Sequence, residues 1–174
     1  MLYLCVDFFL IFVEFSRLYQ FAKIYMFSAI SIYACPLAMT DGAARLVEVH
    51  GNEDLKRLAY NRLVSRDPEV FSTSGQWMTE RTGGSDVSMT STVAKKVDTS
   101  KEDPNHAQLI RNTSEKERIF ALSGYKFFTS ATTSGMAFTL ARIEDEGQMK
   151  LGNRGLSCFF IDIKSNEPSK PFYH

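Results

Sequence analysis

The chain has 174 residues, 44% of them hydrophobic, with 20 basic and 20 acidic side chains that cancel. That length and apolar share are enough to bury one sizeable core. The charge balance leaves no basic field to draw nucleic acid and no acidic tail, which excludes a partner class held by electrostatics alone.

The first 34 residues are rich in Phe, Leu, Ile and Tyr, but Asp7, Glu14, Arg17 and Lys23 interrupt them. No run of about 18 apolar residues remains, so no membrane span is predicted. A signal peptide opens on positive charge, whereas the first charge here is Asp7. Residues 1–16 follow no pattern and stay an unassigned apolar N-terminus; association of residues 1–34 with a membrane is the rival reading, decided by sedimentation with membranes. From Arg17 onward Leu18, Phe21, Ala22, Tyr25 and Met26 recur at three and four, the spacing of one face of a buried helix. Residues 17–65 are predicted helical. Asn52 is a fitting N-cap, with Glu53 and Asp54 in the first turn where the helix dipole favours anions. Leu55, Leu58, Ala59, Arg62 and Leu63 then share a side, and Asp67-Pro68 stops the helix because the residue before proline avoids the α region.

Beyond Pro68 the pattern changes to strands, predicted over 70–78, 88–97, 118–128, 135–142 and 156–163. Asp98 to Glu117, with Pro104, Asn105, Asn112 and many charges, has the composition of a solvated excursion. The sequon at Asn112-Thr113-Ser114 is read as chance, and Lys95-Lys96 and Glu115 to Arg118 as solvated faces. His50, His106 and His174 stand apart, so no metal site is predicted. Cys5, Cys35 and Cys158 lack redox or metal spacing and are read as buried thiols of an intracellular protein, with the compartment left open. Helices first and strands second give an α+β fold: an N-terminal helical segment followed by an antiparallel β-domain.

Most of the chemistry is concentrated in one stretch, Gln76-Trp77-Met78-Thr79-Glu80-Arg81-Thr82-Gly83-Gly84-Ser85-Asp86-Val87. Gly83-Gly84 allows positive φ and close approach to a bulky ligand. Thr79 and Ser85 can offer hydroxyls and neighbouring amides to a polar ring edge or a phosphate. A plain Gly-Gly hairpin turn with polar flanks accounts for the same residues.

The stretch resembles the Met-Thr-Glu…Gly-Ser-Asp signature of flavin-dependent acyl-CoA dehydrogenases. Gly124-Tyr125-Lys126-Phe127-Phe128-Thr129-Ser130 is similar to that family's second motif and follows at the family's spacing. Cys35 to Arg45 (Cys-Pro-Leu-Ala-Met-Thr-Asp-Gly-Ala-Ala-Arg) and Gly155 to Phe160 resemble the adaptive-response (AidB-like) branch. The four matches span about residues 17 to 163.

The resemblance implies that 17–69 is the end of an N-terminal helical domain and 70–163 most of a middle β-domain for FAD and acyl-CoA, with 164–174 a tail. It implies a C-terminal helical domain that these 174 residues do not include, and homo-oligomeric full-length relatives. By motif position Gln76, Met78 and Thr79 lie along the flavin, with the Thr79 hydroxyl on its pyrimidine edge. Gly84 and Ser85 lie near the pyrophosphate, Ser85 also near the acyl-CoA thioester. Phe128 stands where the family usually has tryptophan, and Ser130 where it has threonine; an aromatic face and a hydroxyl are kept. The family's base is a glutamate from the C-terminal helical domain. Glu80 corresponds to a structural carboxylate, so no catalytic residue is assigned, and FAD affinity of the chain alone is expected to be weak or nil. The expected function is α,β-dehydrogenation of an acyl-CoA with hydride passing to FAD. A non-catalytic remnant that binds a partner through exposed apolar faces is the alternative. DNA association, a property of some members of the branch, is not carried over, because no basic stripe is present.

Overall fold

Helices precede strands, in the predicted order, in a computed structural model that describes residues 16–98 and 119–163. The chain divides into two compact units between Gly75 and Gln76.

In the first unit α1 (Ser16–Phe27) leads through a 3-10 segment (Ser28–Tyr33) into α2 (Ala34–His50). α2 buries Met39, Thr40, Ala43, Ala44 and Val47, a face at helical spacing whose alanines permit close packing. A polar network ties α1 to α2. Arg17 donates from both Nη atoms to the two Asp41 oxygens at 2.8 and 3.1 Å, and the buried Gln20 donates to Asp41 Oδ1 at 2.6 Å. The predicted buried stripe of α1 is not buried: Leu18, Phe21, Tyr25 and Met26 are all exposed. Periodicity identified a helix with an apolar side, but burial requires a partner element, and none among the described residues covers that side.

Asn52 caps the next helix as expected, its Oδ1 accepting from Leu55 N at 2.8 Å. The run continues as α3 (Glu53–Leu55), a π-helical turn (Lys56–Tyr60) and α4 (Asn61–Leu63), burying Ala59 and Leu63. Replacing Asn52 with alanine orphans an N-terminal amide and is expected to cost about 1 kcal/mol in urea melts; an unchanged midpoint would show that the cap is dispensable. Past α4 the chain turns at Asp67-Pro68, where Asp67 O accepts from Val70 N and Phe71 N.

The second unit is built on one six-stranded sheet, whose first strand begins at the unit boundary: β1 (Ser74–Trp77), β2 (Val93–Lys96), β3 (Phe120–Ser123), β4 (Met136–Asp145), β5 (Gln148–Met149) and β6 (Leu156–Asp162). Its path is β1-β4-β2-β3, with β5 and β6 also on β4. β4 is the spine, burying Met136, Ala137, Phe138 and Thr139 in succession as a strand covered on both faces does. β6 pairs with it antiparallel from Met136↔Asp162 to Arg142↔Leu156, and Phe138 and Phe160 face each other with ring centroids 5.6 Å apart.

Three further differences from the expectation concern the sheet and the cysteines. The sheet is antiparallel at β2–β3, β4–β5 and β4–β6, but β2 runs parallel to β4. Two reversals, β2 to β3 and β3 to β4, restore the original direction when β4 returns beside β2. The strands predicted over 70–78, 88–97 and 118–128 shrink to about four residues each. The remainder is held by side chains and turns, as at Asp67 and around Glu80, instead of by a ladder. Cys35 and Cys158 are free and exposed, not buried; hydrophobic flanks placed them on elements but did not say which side would be covered. Lys95 and Lys96 are exposed as expected. Residues 1–15, most of the charged excursion, the Asn112 sequon, Cys5, His106 and His174 lie outside the described residues. Among the described residues no helix is long and apolar enough to cross a membrane, and no group of His, Cys, Asp or Glu could hold a metal ion.

Candidate functional site

The loop from Met78 to Thr92 joins β1 to β2, and the second motif, Gly124–Ser130, leaves β3. Glu80 and Gly83 exchange backbone hydrogen bonds of 3.0 and 3.2 Å, so a tight turn forms within the first motif. The glycines there do not take positive φ. Gly83 is needed for a steric reason: a Cβ would lie 2.4 Å from Asp86 O. A Cβ at Gly84 would meet only Thr79 Cγ2, at 3.9 Å, which places Gly84 beside Thr79.

Three polar links join the two motifs. Phe127 N donates to Thr79 O at 2.9 Å. Trp77 Nε1 donates to Ser130 O at 3.1 Å. Lys126 Nζ donates to Glu80 Oε1 at 2.7 Å and to Leu140 O at 2.8 Å, within an ion pair whose side chains are 9% and 3% exposed. Trp77 is held further by Thr139, whose hydroxyl donates to Trp77 O at 2.5 Å.

Glu80 is the hub. Its Oε2 accepts from Ser91 N and Ser91 Oγ, and its Oε1 from Thr92 N, Thr92 Oγ1 and Lys126 Nζ. Burial alone would raise its pKa, but the bonds from Lys126, Ser91 and Thr92 outweigh burial and hold it at about 2, down from 4.5. A carboxylate so tied accepts hydrogen bonds and has no basicity to spare. This is the structural carboxylate expected from the motif. The second motif presses close here too, since a Cβ at Gly124 would lie 2.5 Å from Thr92 Oγ1.

Of the residues singled out from sequence, Thr79, Gly84, Phe128 and Ser130 fall on these linked segments. Gln76, Gly84, Ser85, Phe128 and Ser130 are exposed; Met78 and Thr79 are half-buried. Phe128 is 59% exposed with its ring edge-on to Phe127, centroids 4.8 Å apart. Ser85 follows Gly84 on the same turn, and Asp86 beside it binds Ser88 N and Oγ, which lower its pKa.

Two residues escaped the sequence reading. Lys126 passed as one more motif residue, although a lysine set among aromatic residues is a candidate for burial with a carboxylate. Arg142 closes an apolar strand and would ordinarily be solvated there. Instead it is buried, donating to the carbonyls of Thr90, Ser88, Lys150 and Gly152 and so pinning the end of the first loop to the 150–152 turn. Nothing in sequence marks a cation satisfied by carbonyls alone.

Comparison with known proteins addresses what this arrangement derives from. The chain is 40% identical over 153 residues to "Acyl-CoA dehydrogenase family member 11" of Caenorhabditis elegans, which covers 85% of this chain and 22% of that protein. The chain is thus similar to one stretch of that worm protein. No family model matches it. Solved structures agree: the worm ACDH-11 in complex with C11-CoA superposes with TM-score 0.74 at 37% identity, over 92% of this chain and 26% of that one. The apo form of Bd2924 superposes with TM-score 0.73 at 48% identity, over 91% of this chain and 29% of that one. Butyryl-CoA dehydrogenase from Megasphaera elsdenii, at 20% identity and TM-score 0.63 over 92% of this chain and 37% of that one, shares the fold. The chain thus spans about a fifth to a third of the lengths of these relatives.

Proposed function

We propose that residues 76–130 form one side of a flavin site in an oxidoreductase that removes hydrogen from the α,β-positions of an acyl-CoA thioester, within the adaptive-response branch that the motifs at 35–45 and 155–160 resemble. The observation that carries the reading is the triple linkage of the two motifs, which sets the hydroxyl-bearing Thr79 segment beside the exposed aromatic pair Phe127 and Phe128. An apolar face next to hydroxyls and amides fits the chemistry of FAD, a flat ring with a polar edge.

In this reading Phe128 packs on the ring and Gln76 and Met78 line it. The Thr79 and Ser130 hydroxyls bond its polar atoms, while Gly84 and Ser85 serve the pyrophosphate and the thioester. FAD, when bound, supplies a hydride acceptor. Glu80 is not the base that takes the α-proton: its lone pairs are engaged and its pKa is about 2. Acyl-CoA as substrate is supported by the worm relative, whose structure holds C11-CoA. The rival reading, an interaction module without catalysis, is favoured by the exposed apolar side of α1.

A graft separates the two. These 174 residues, exchanged for the matching stretch of the worm relative, are expected to give a yellow protein. Thr79→Val or Phe128→Ala in the graft should weaken FAD retention about five- to tenfold, the effect of one hydrogen bond or one aromatic contact. A folded but colourless graft rejects the flavin reading in favour of the interaction module.

A further inference from the structure

We infer that Glu80 and Lys126 act as positioning residues, a buried latch that sets the second motif against the first at the spacing a flavin ring requires. The inference rests on the flavin reading above and adds to it what fixes the geometry of the site.

Packing cannot do this work. Tyr125, Phe127 and Phe128 are 86%, 58% and 59% exposed, so the segment between β3 and β4 has little apolar surface buried to hold it. Polar links must hold it instead. Of the three, the Trp77–Ser130 bond is exposed and Phe127–Thr79 is a single backbone bond. The Lys126 ammonium is shielded from water, and it reaches two places at once: Glu80 on the first motif and Leu140 O on β4. Its anchor is rigid, because Ser91 and Thr92 hold Glu80 through two amides and two hydroxyls. A shielded, charge-assisted bond to a fixed carboxylate defines position more tightly than an exposed neutral one. The two residues after Lys126 are Phe127, whose amide meets Thr79, and Phe128, so a shift at Lys126 is passed straight to the proposed ring contacts.

Trp77 provides a readout independent of flavin and of turnover. It is the sole tryptophan of the chain, and its Nε1 bonds the second motif at Ser130. The experiment compares acrylamide quenching of Trp77 in the 174-residue chain and in the paired variant Glu80→Gln/Lys126→Met, which leaves no lone buried charge. Both are measured below their melting transitions, with far-UV circular dichroism as the check on folding. A latch predicts a native far-UV spectrum with a quenching constant raised about twofold. It also predicts that Lys126→Arg, which keeps the charge-assisted bond, stays nearer the parent. A pair that only adds stability would lower the melting temperature and leave quenching unchanged, which overturns the inference. So does loss of the native spectrum in the paired variant together with parental quenching in folded Lys126→Gln. In the worm graft the paired variant is expected to bind FAD about tenfold more weakly. A graft colourless even without these substitutions would defeat the flavin reading, while the quenching result would still decide whether the latch exists.

Discussion

Replacing Glu80 with alanine is expected to lower the stability of the sheet unit by about 3–5 kcal/mol, read as a shift of the urea midpoint at constant slope. The change leaves the Lys126 ammonium buried, with Leu140 O its remaining partner among the described residues, and it orphans the amides and hydroxyls of Ser91 and Thr92. Breaking a buried pair from one side costs far more than the pair contributes relative to apolar replacements, because the remaining charge has lost its water and its partner. Adding Lys126→Met should therefore recover part of the loss, with a coupling of about 1–3 kcal/mol in a double-mutant cycle. The exposed pair Lys95–Glu144, with Nζ 2.9 Å from Oε1 across β2 and β4, is the internal control. Lys95→Ala should cost no more than about 1 kcal/mol. Equal effects at Lys95 and Glu80 would refute the assignment of Glu80 as the buried hub.

Acid should destabilise this unit through the same carboxylate. Glu80 titrates at about 2 when folded, against an ordinary 4.5. A depressed folded pKa means that the stabilisation is complete above 4.5 and is lost as pH falls through the interval down to about 2. At roughly 1.4 kcal/mol per unit the loss comes to about 3 kcal/mol. Glu80→Gln has no proton to take up, so its stability should run nearly flat over that interval apart from the other carboxylates. The measurement is urea midpoints from pH 2 to 6 for both proteins. Parallel curves would show that Glu80 does not carry the acid response.

The two motifs were legible from sequence in their parts. Thr79 and Ser85 stand out for hydroxyls beside a Gly pair, whereas Phe128 and Ser130 are marked only by the resemblance of the second motif. Lys126 was not singled out, because a lysine in a motif looks the same whether it faces water or a carboxylate 46 residues earlier in the chain. Arg142 was hidden for the related reason that its acceptors are backbone carbonyls, which every residue possesses. The positive φ expected of the Gly pair is not taken: Gly83 is required by the nearness of Asp86 O, a contact that only the folded turn creates.

Local rules determined the order of elements, helix then strand, together with the Asn52 cap and the stop at Asp67-Pro68. Each of these depends on residues within a few positions of one another. Tertiary structure decided the rest. It placed β4 between β2 and β6 and so made one pair parallel, and among the described residues it left the apolar side of α1 uncovered. It shortened strands where Ser91, Thr92 and Lys126 turned to Glu80, and it brought two motifs some 45 residues apart onto one carboxylate. Periodicity tells which side of an element is apolar and spacing tells which groups travel together. Which surface is buried, and which distant charge is neutralised, depends on the free energy of the assembled unit, and no local window of sequence contains it.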